Sequence, residues 1–452
     1  MRDDTDDIQI SQLDADTRNP YTSLHTSTRT LKKEKYNTKK MNNNNNIKHH
    51  NNHHQQQLHC RNIMKSSFSK SYISSIINLD SNQEVHKISN EKKITSLWAG
   101  YGTINSIDIT ISPNNKKKSI IIKRVNPPTN DNSISNQRKI KSYHVEGFFY
   151  NTLAPLLIDI TTIDASIPCQ IATPYSIEIK SSSSFTFILE DLSENYNESY
   201  SSSLSSMDQS KQAIQWLSVF HVAFFNHRNV IHDTLNNTQQ IWKYGGYWHL
   251  QTRQDEWDSI PSYQSYFQKS AHAIDKRMNE IGNGKSHTLI HGDFKDANVL
   301  FGSNNLGHCA VVDFQYTGVG YGAKDLVMWV VSSMSSKTFE KLGGEEGILQ
   351  MYRDALCENA KKICKLKKVE WVEDDWRQFL NLNNIKMQYE LALVDYVRFM
   401  VGWGLWGSNV GYAERRAVEI LIEISGSEEN LKKYNSAEWE RAIYDRYPLE
   451  LF

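Results

Sequence analysis

The sequence predicts an α+β fold of two lobes. A small, mostly antiparallel β lobe carrying one helix spans about residues 67–192, and a larger, mainly helical lobe spans 193–452. Three observations lead there. Short β-branched runs crowd the first stretch, and long apolar patterns at helical spacing fill the second. Within the second, two short apolar runs flank a glycine-bearing polar turn between residues 298 and 312, the signature of a β-hairpin.

Composition narrows the function classes. Lysine plus arginine and aspartate plus glutamate each number 51 in 452 residues, a formal net charge of zero. That balance predicts no generic attraction to nucleic acid and none to an acidic membrane. The five cysteines are scattered, without C-x-x-C or zinc-ligand spacing, as in a reduced compartment. The acidic start and the lack of any run of about eighteen apolar residues predict a soluble, cytoplasmic protein.

Residues 1–66 predict a disordered tail. Asn42–Asn46 and the histidines and glutamines from His49 to Gln57 offer too little apolar surface to offset the entropy of ordering. A metal site of His49, His50, His53, His54, His59 and Cys60 is the sharper reading; low-complexity composition favours a solvated tail. Ser67–Leu79 carries its apolar residues at helical spacing, and strands follow at Ile94–Leu97 and Ile104–Ile111. In the latter, Ile107, Ile109 and Ile111 share one face. Between the strands, Gly100, Tyr101, Gly102 and Thr103 form either a plain hairpin turn or a loop whose backbone approaches phosphates. Lys123 follows three isoleucines of a central strand, so it needs a partner. Glu146, on a helix expected over Asn136–Leu153, supplies one, unless Arg124 is the inward-facing cation. Pro127–Asn136 reads as a mobile loop, and Phe185–Leu192 as the last strand, followed by the linker Ser199–Ser206.

The second lobe opens with an amphipathic helix over Gln212–Phe225, where His221 on an apolar face reads first as a satisfied core residue. In the loop Tyr244–Glu256, Trp248 and Arg253 either pack or face a ligand. Pairing the hairpin strands Asn298–Phe301 and Ala310–Val312 would bring Asn298 and Asp313 together, with Asp293 on the loop before them. One site would then hold two oxygen ligands for a hard divalent cation and one carboxylate to receive a proton. That is the equipment of phosphoryl transfer from a nucleotide to a hydroxyl. Gly318–Gly322 then reads as a flexible turn, Asp325 as the start of a helix to Met334, and Glu373–Trp376 as charged surface. Asn384–Met400 is apolar nearly all round and therefore a buried helix, so its Glu390, Asp395 and Arg398 must be paired. A mutual Asp395–Arg398 pair is one account, and an acidic patch for a cationic acceptor is the other. Trp403 and Trp406 would add a cation–π face or merely pack.

His291-Gly-Asp293, Asn298 and Asp313-Phe-Gln315 together resemble the catalytic core of the aminoglycoside phosphotransferase and choline kinase superfamily, and within it the ecdysteroid-kinase-like (CHK kinase-like) branch. The likeness covers about residues 67–410. It implies a protein-kinase-like bilobal fold that binds ATP and Mg²⁺ between the lobes, with Asp293 as catalytic base and Asn298 and Asp313 as magnesium ligands. It further implies phosphates under Gly100–Thr103 and against Lys123, positioned by Glu146, and adenine at the hinge Glu190–Leu192. Lys295 either nears the γ-phosphate or faces solvent, and Asp325 braces the catalytic loop. The third glycine of protein-kinase nucleotide loops is missing, Gln315 replaces a glycine, and no Ala-Pro-Glu sequence follows. These departures predict neither a flipping activation segment nor a peptide platform. The expected activity is ATP-dependent phosphorylation of a small-molecule hydroxyl; the alternatives are an idle nucleotide-binding scaffold and a protein kinase. Candidate acceptor contacts are Trp248, Arg253, Glu390, Asp395 and Trp403, while the acceptor's identity and the oligomeric state stay open.

Overall fold

The computed structural model describes residues 68–451 except 78, 98–99, 129, 165, 182–183, 199–206, 227–239, 282–285 and 303–306. The expected tail with its histidine cluster and the linker Ser199–Ser206 lie outside the described residues.

The first lobe begins with helix α1, Lys70–Ile76, whose N-cap Ser69 accepts a hydrogen bond from the Tyr72 amide. Its strands are β1 (Glu84–Ile88), β2 (Lys92–Ser96), β3 (Gly102–Ser112), β4 (Lys116–Val125), β6 (Pro174–Ser181) and β7 (Ser184–Glu190). They lie antiparallel in the order β1–β3–β4–β7–β6, with β2 on the same edge of β3 as β1. Strand β5 (Gln170–Ile171) belongs to the second lobe, beside the hairpin. Neither β1 nor β6 was expected. In β1 only Val85 is fully buried, and β6 starts on a proline at the sheet edge, so each lacks the alternation that marked β3.

Alternation along β4 sorts its side chains. Ile120 and Ile122 join Ile107, Ile109, Ile111 and Ile188 in a core closed by Ile73 and Ile77. Lys123 and Val125 point to the other face, which helix α2, Ile134–Phe148, covers. Helix α2, capped by Ser133, runs into a π-turn at Phe149–Leu153 and then α3, Ala154–Ile163. The helix expected over Asn136–Leu153 is present as a first helix, α2, with its closing π-turn, and α3 is a second helix beyond the expected stretch. Pro155 stands in the first turn of the second, where its missing N–H leaves no bond unmade.

The second lobe contains α4 (Met207–Asn226), α5 (Ser265–Ile281), α6 (Gly322–Met328), α7 (Gly344–Lys367), α8 (Leu382–Trp403), α9 (Val410–Ser425) and α10 (Ser436–Arg446). One core runs from Val125 and Phe187 through Phe149 and Phe314 to Trp216, Trp329 and Val394. Each large apolar side chain buried this way stabilises by about 1.5–3 kcal/mol. The expected hairpin is present: β9 (Val299–Phe301) pairs with β10 (Cys309–Val311), Val299 opposite Val311. Three expectations fail in this lobe. Gly318–Gly320 is no flexible turn but strand β11, antiparallel to β8 (Thr288–Ile290), and a Cβ on Gly318 would run into Trp242. Asp325 does not start its helix; α6 begins at Gly322, with Asp325 inside the first turn. Trp376, assigned to charged surface, is buried against Phe225 and Phe379. No helix among the described residues is long and apolar enough to cross a membrane.

Candidate active site

The site is built from three pieces of backbone: strand β4, helix α2, and the loops at either end of the β9–β10 hairpin. Lys123 is 6% exposed, and its ammonium reaches the Glu146 carboxylate at 2.7 and 2.9 Å. Arg124 points the other way, to Glu91. Lys123 also lies 3.7 Å from Oδ1 of Asp313, joining the β lobe to the hairpin. Burial alone would push the Lys123 ammonium down, but the carboxylates of Glu146 and Asp313 more than offset it, so it stays charged. Burial pushes the Glu146 carboxyl up, and Lys123 only partly restrains it.

Asp293 is 5% exposed. Lys295 donates to both of its oxygens, at 3.0 and 2.9 Å, and Nδ2 of Asn298 donates to its carbonyl at 2.8 Å and to its carboxylate at 3.1 Å. Lys295 is therefore buried beside Asp293 and does not face solvent. Burial raises the Asp293 carboxyl above the ordinary aspartate value, Lys295 pulls it back and the Asp313 charge adds to the rise. A carboxylate shifted this way is a better proton acceptor than a solvated one.

The loop carrying Asp293 is held from below. Asp325, fully buried, accepts from the backbone amides of His291 at 2.7 Å and Gly292 at 2.8 Å, and lies 3.1 Å from Nε2 of His221. His221 reaches the Tyr352 hydroxyl at 2.7 Å with its other nitrogen, so it is a satisfied core histidine that also buttresses Asp325. Gly292 has φ +81°, and a Cβ there would strike the Tyr316 carbonyl, so glycine is required. His291 accepts the Asp293 amide on Nδ1 and donates from Nε2 to the Val312 carbonyl at 3.1 Å, the pattern of a neutral ring; burial lowers its pKa accordingly.

The donor set suits magnesium. Asn298 spends its Nδ2 on Asp293, which leaves Oδ1 as the free end of the amide. Asp313 sits at φ +70°, and its buried Oδ1 has no hydrogen-bond partner. One carboxylate and one amide oxygen make the sparse, hard set that Mg²⁺ uses when substrate phosphates complete its shell. No group of three or more His, Cys, Asp or Glu side chains among the described residues forms a metal cage.

The nucleotide side is less complete in its side chains. Gly100 has φ +71°, and Gly102 meets the Arg124 carbonyl where a Cβ would stand, while Trp98 and Ala99 lie outside the described residues. Tyr101 donates to Asn136 of α2 at 2.6 Å, and Thr103 pairs with Arg124 on the face opposite Lys123. Only the backbone of these two residues is left for phosphates. Glu190 ends β7 with its carboxylate on the Thr173 amide and hydroxyl, and Leu192 begins a 3-10 turn, so any adenine contact at this hinge falls to backbone groups.

The family model of the ecdysteroid kinase-like family matches residues 101–365, more than half of the chain and every group from Tyr101 to Asp325 just described. The chain belongs to the ecdysteroid kinase-like family. No curated protein matches it. Similar solved structures include the amicoumacin kinase hAmiN in complex with AMP-PNP, Ca²⁺ and Ami, at 11% identity and TM-score 0.38, covering 81% of this chain and 95% of that one. An ethanolamine kinase of Plasmodium vivax follows at 10% identity and TM-score 0.38, covering 77% and 85%. The choline kinase LicA of Streptococcus pneumoniae follows at 11% and 0.35, covering 83% and 100%.

In this ecdysteroid kinase-like protein the candidate acceptor residues do not form one surface. Trp248 is fully buried against Tyr396, with its carbonyl bound by Arg398. Asp395 is paired with Arg398 at 2.8 Å, both fully buried. Glu390 is held elsewhere, by the Tyr447 hydroxyl at 2.9 Å and Arg416 at 3.3 Å. Glu390 and Asp395 therefore share no open acidic patch. Arg253 and Trp403 do come together, with Tyr247 and Phe399, beside the loop that carries Asp293. Tyr247 was not singled out in the sequence, yet its amide donates to the Gly292 carbonyl at 2.7 Å and its ring lies 5.6 Å from the Lys295 ammonium. Tyr396 was missed as well: its buried hydroxyl has no hydrogen-bond partner, and burial, then the Asp293 charge, pushes its pKa up. Tyr396 lies on a helix apolar nearly all round and Tyr247 in an aromatic loop, so neither position stands out.

Proposed function

We propose that this protein transfers the γ-phosphoryl group of ATP to a hydroxyl of a small molecule. The observation that carries the reading is the convergence of Lys123, Glu146, Asp293, Asn298 and Asp313, drawn from both lobes. Lys123, kept charged by Glu146 and Asp313, binds phosphate oxygens. Asn298 and Asp313 would hold magnesium, which would supply neutralisation of the phosphate charge. Asp293 orients the acceptor hydroxyl and takes its proton as the acceptor oxygen bonds to the γ-phosphorus. The bond from that phosphorus to the β–γ bridging oxygen breaks, and ADP leaves. Lys295, bonded to both oxygens of Asp293, supplies a second positive charge beside the transferring phosphoryl group.

The test is ADP release measured across a panel of hydroxyl compounds with the wild type and Asp293→Asn. Turnover is expected to fall by about 10²–10⁴-fold in the variant while nucleotide binding persists. Equal turnover in both proteins defeats the assignment of the base. Absence of turnover in both, with ATP still bound, is the result an idle scaffold would give.

A further inference from the structure

Lys324 is a buried lysine that the chemistry above does not use. It stands in the first turn of α6, next to Asp325, and burial lowers its pKa against the pull of Asp395, Asp275 and Asp325. Each of those acids has another partner. Asp395 is paired with Arg398, Asp275 lies 3.3 Å from Nδ1 of His249, and Asp325 takes the His291 and Gly292 amides. Burying an ammonium is costly unless its charge is answered. Here it donates to the Gly245 carbonyl at 2.8 Å, with the Trp248 ring centroid 5.4 Å away. The next residue makes room for it: Gly246 has φ +124°, and a Cβ there would stand 3.2 Å from the Lys324 Nζ.

The segment that accepts this bond is one on which the Asp293 loop leans. Gly245, Gly246 and Tyr247 donate their amides in succession to the carbonyls of Val319 at 2.8 Å, Tyr316 at 3.2 Å and Gly292 at 2.7 Å. A Cβ on Gly245 would strike Ile290 of β8 and Gly318 of β11, so the segment lies close against both strands. The last of the three bonds holds the oxygen of the peptide that joins Gly292 to Asp293. Asp325 holds the N–H of the same Gly292 at 2.8 Å. Gly292 is thus gripped at both its backbone groups by two neighbours on α6. Asp325 does so directly, and Lys324 does so through three residues of loop. The Tyr247 ring at the end of that loop also lies 5.6 Å from the Lys295 ammonium.

We infer that Lys324 is a positioning residue for Asp293: its bond to Gly245 sets the loop whose Tyr247 amide fixes the plane of the Gly292–Asp293 peptide. The direction from which the Asp293 carboxylate meets an acceptor proton depends on that plane, and a misplacement of about 1 Å at such a group costs about 10²-fold in rate. The effect on turnover rests on the phosphotransfer reading; the link from Lys324 to Gly292 does not.

The test pairs amide hydrogen exchange with ADP release in the full chain, wild type against Lys324→Met, which keeps an unbranched apolar stem and removes the donor. Exchange in the peptides that cover residues 245–247 and 291–294 is expected to be about tenfold or more faster in the variant, with β3 and β4 unchanged. Across the panel of hydroxyl compounds, kcat is expected to fall by about 10–100-fold while the KM for ATP stays within about threefold. Lys324→Gln, too short to reach the Gly245 carbonyl, keeps a polar end in the buried seat and carries the same test if Lys324→Met does not fold. Wild-type exchange at both peptides, faster exchange throughout the chain, or locally faster exchange with kcat unchanged overturns the inference. Locally faster exchange in the variant, with no ADP release from the wild type on any compound, keeps the link to Gly292 and removes phosphotransfer.

Discussion

Asp313 and Asp325 stand on either side of strand β11, and the chain treats their carboxylates in opposite ways. Asp325 is fully buried and meets two backbone amides and a histidine. Asp313 sits on a left-handed backbone, and its buried Oδ1 has no hydrogen-bond partner. Glu390, in the same helical lobe, follows Asp325: Tyr447 and Arg416 satisfy it. Acids that hold the lobe together are hydrogen-bonded within the chain, whereas Asp313 has the Lys123 ammonium at 3.7 Å but no hydrogen bond on that oxygen.

The comparison can be broken at each of these positions. Asp313→Asn is expected to lower kcat by about 10²–10³ with the melting temperature nearly unchanged, and to raise the magnesium concentration needed for half activity. A large loss of stability there would place Asp313 with the structural acids. Asp325→Asn is expected to lose both: an amide nitrogen would face the His291 or the Gly292 N–H. Denaturant unfolding should show a loss of about 3 kcal/mol, with kcat falling as the loop loosens. Glu390→Gln is expected to cost about 1–3 kcal/mol in the same measurement while kcat per folded molecule holds. A change in acceptor KM alone would return Glu390 to the binding surface.

The smallest effect lies in pH. Asp293 must be ionised to take a proton, so kcat/KM is expected to fall on the acid side at a pH above the ordinary aspartate value of about 3.9. Because Lys295 holds that carboxyl down, Lys295→Ala should move the acid limb to higher pH. Stability has the opposite sign. With a folded value above the unfolded one, Asp293 contributes fully below the ordinary aspartate range and loses that contribution as pH rises through the raised value.

Much of this was legible in the sequence where a period or a spacing carried it. The alternation of Ile107, Ile109 and Ile111 marked β3, and the isoleucines before Lys123 marked β4. The hairpin followed from two apolar runs about a polar turn, and it brought Asn298 to Asp313 as expected: the Val312 amide donates to the Asn298 carbonyl at 3.0 Å. What stayed hidden depended on absent side chains or distant partners. Gly318 and Gly320 read as a turn because glycine signals freedom, yet they are glycines because Trp242 and Ile290 press on them. The packing of Arg253 brings Tyr247, Phe399 and Trp403 to one place, and no local spacing relates them.

Phe149 stacks on Phe314 with centroids 3.7 Å apart and planes 11° from parallel. The first residue follows Glu146 by three positions, and the second is next to Asp313. A ring clasp thus couples the helix of Glu146 to the turn of Asp313, so swinging one outward would strip an aromatic face from the other.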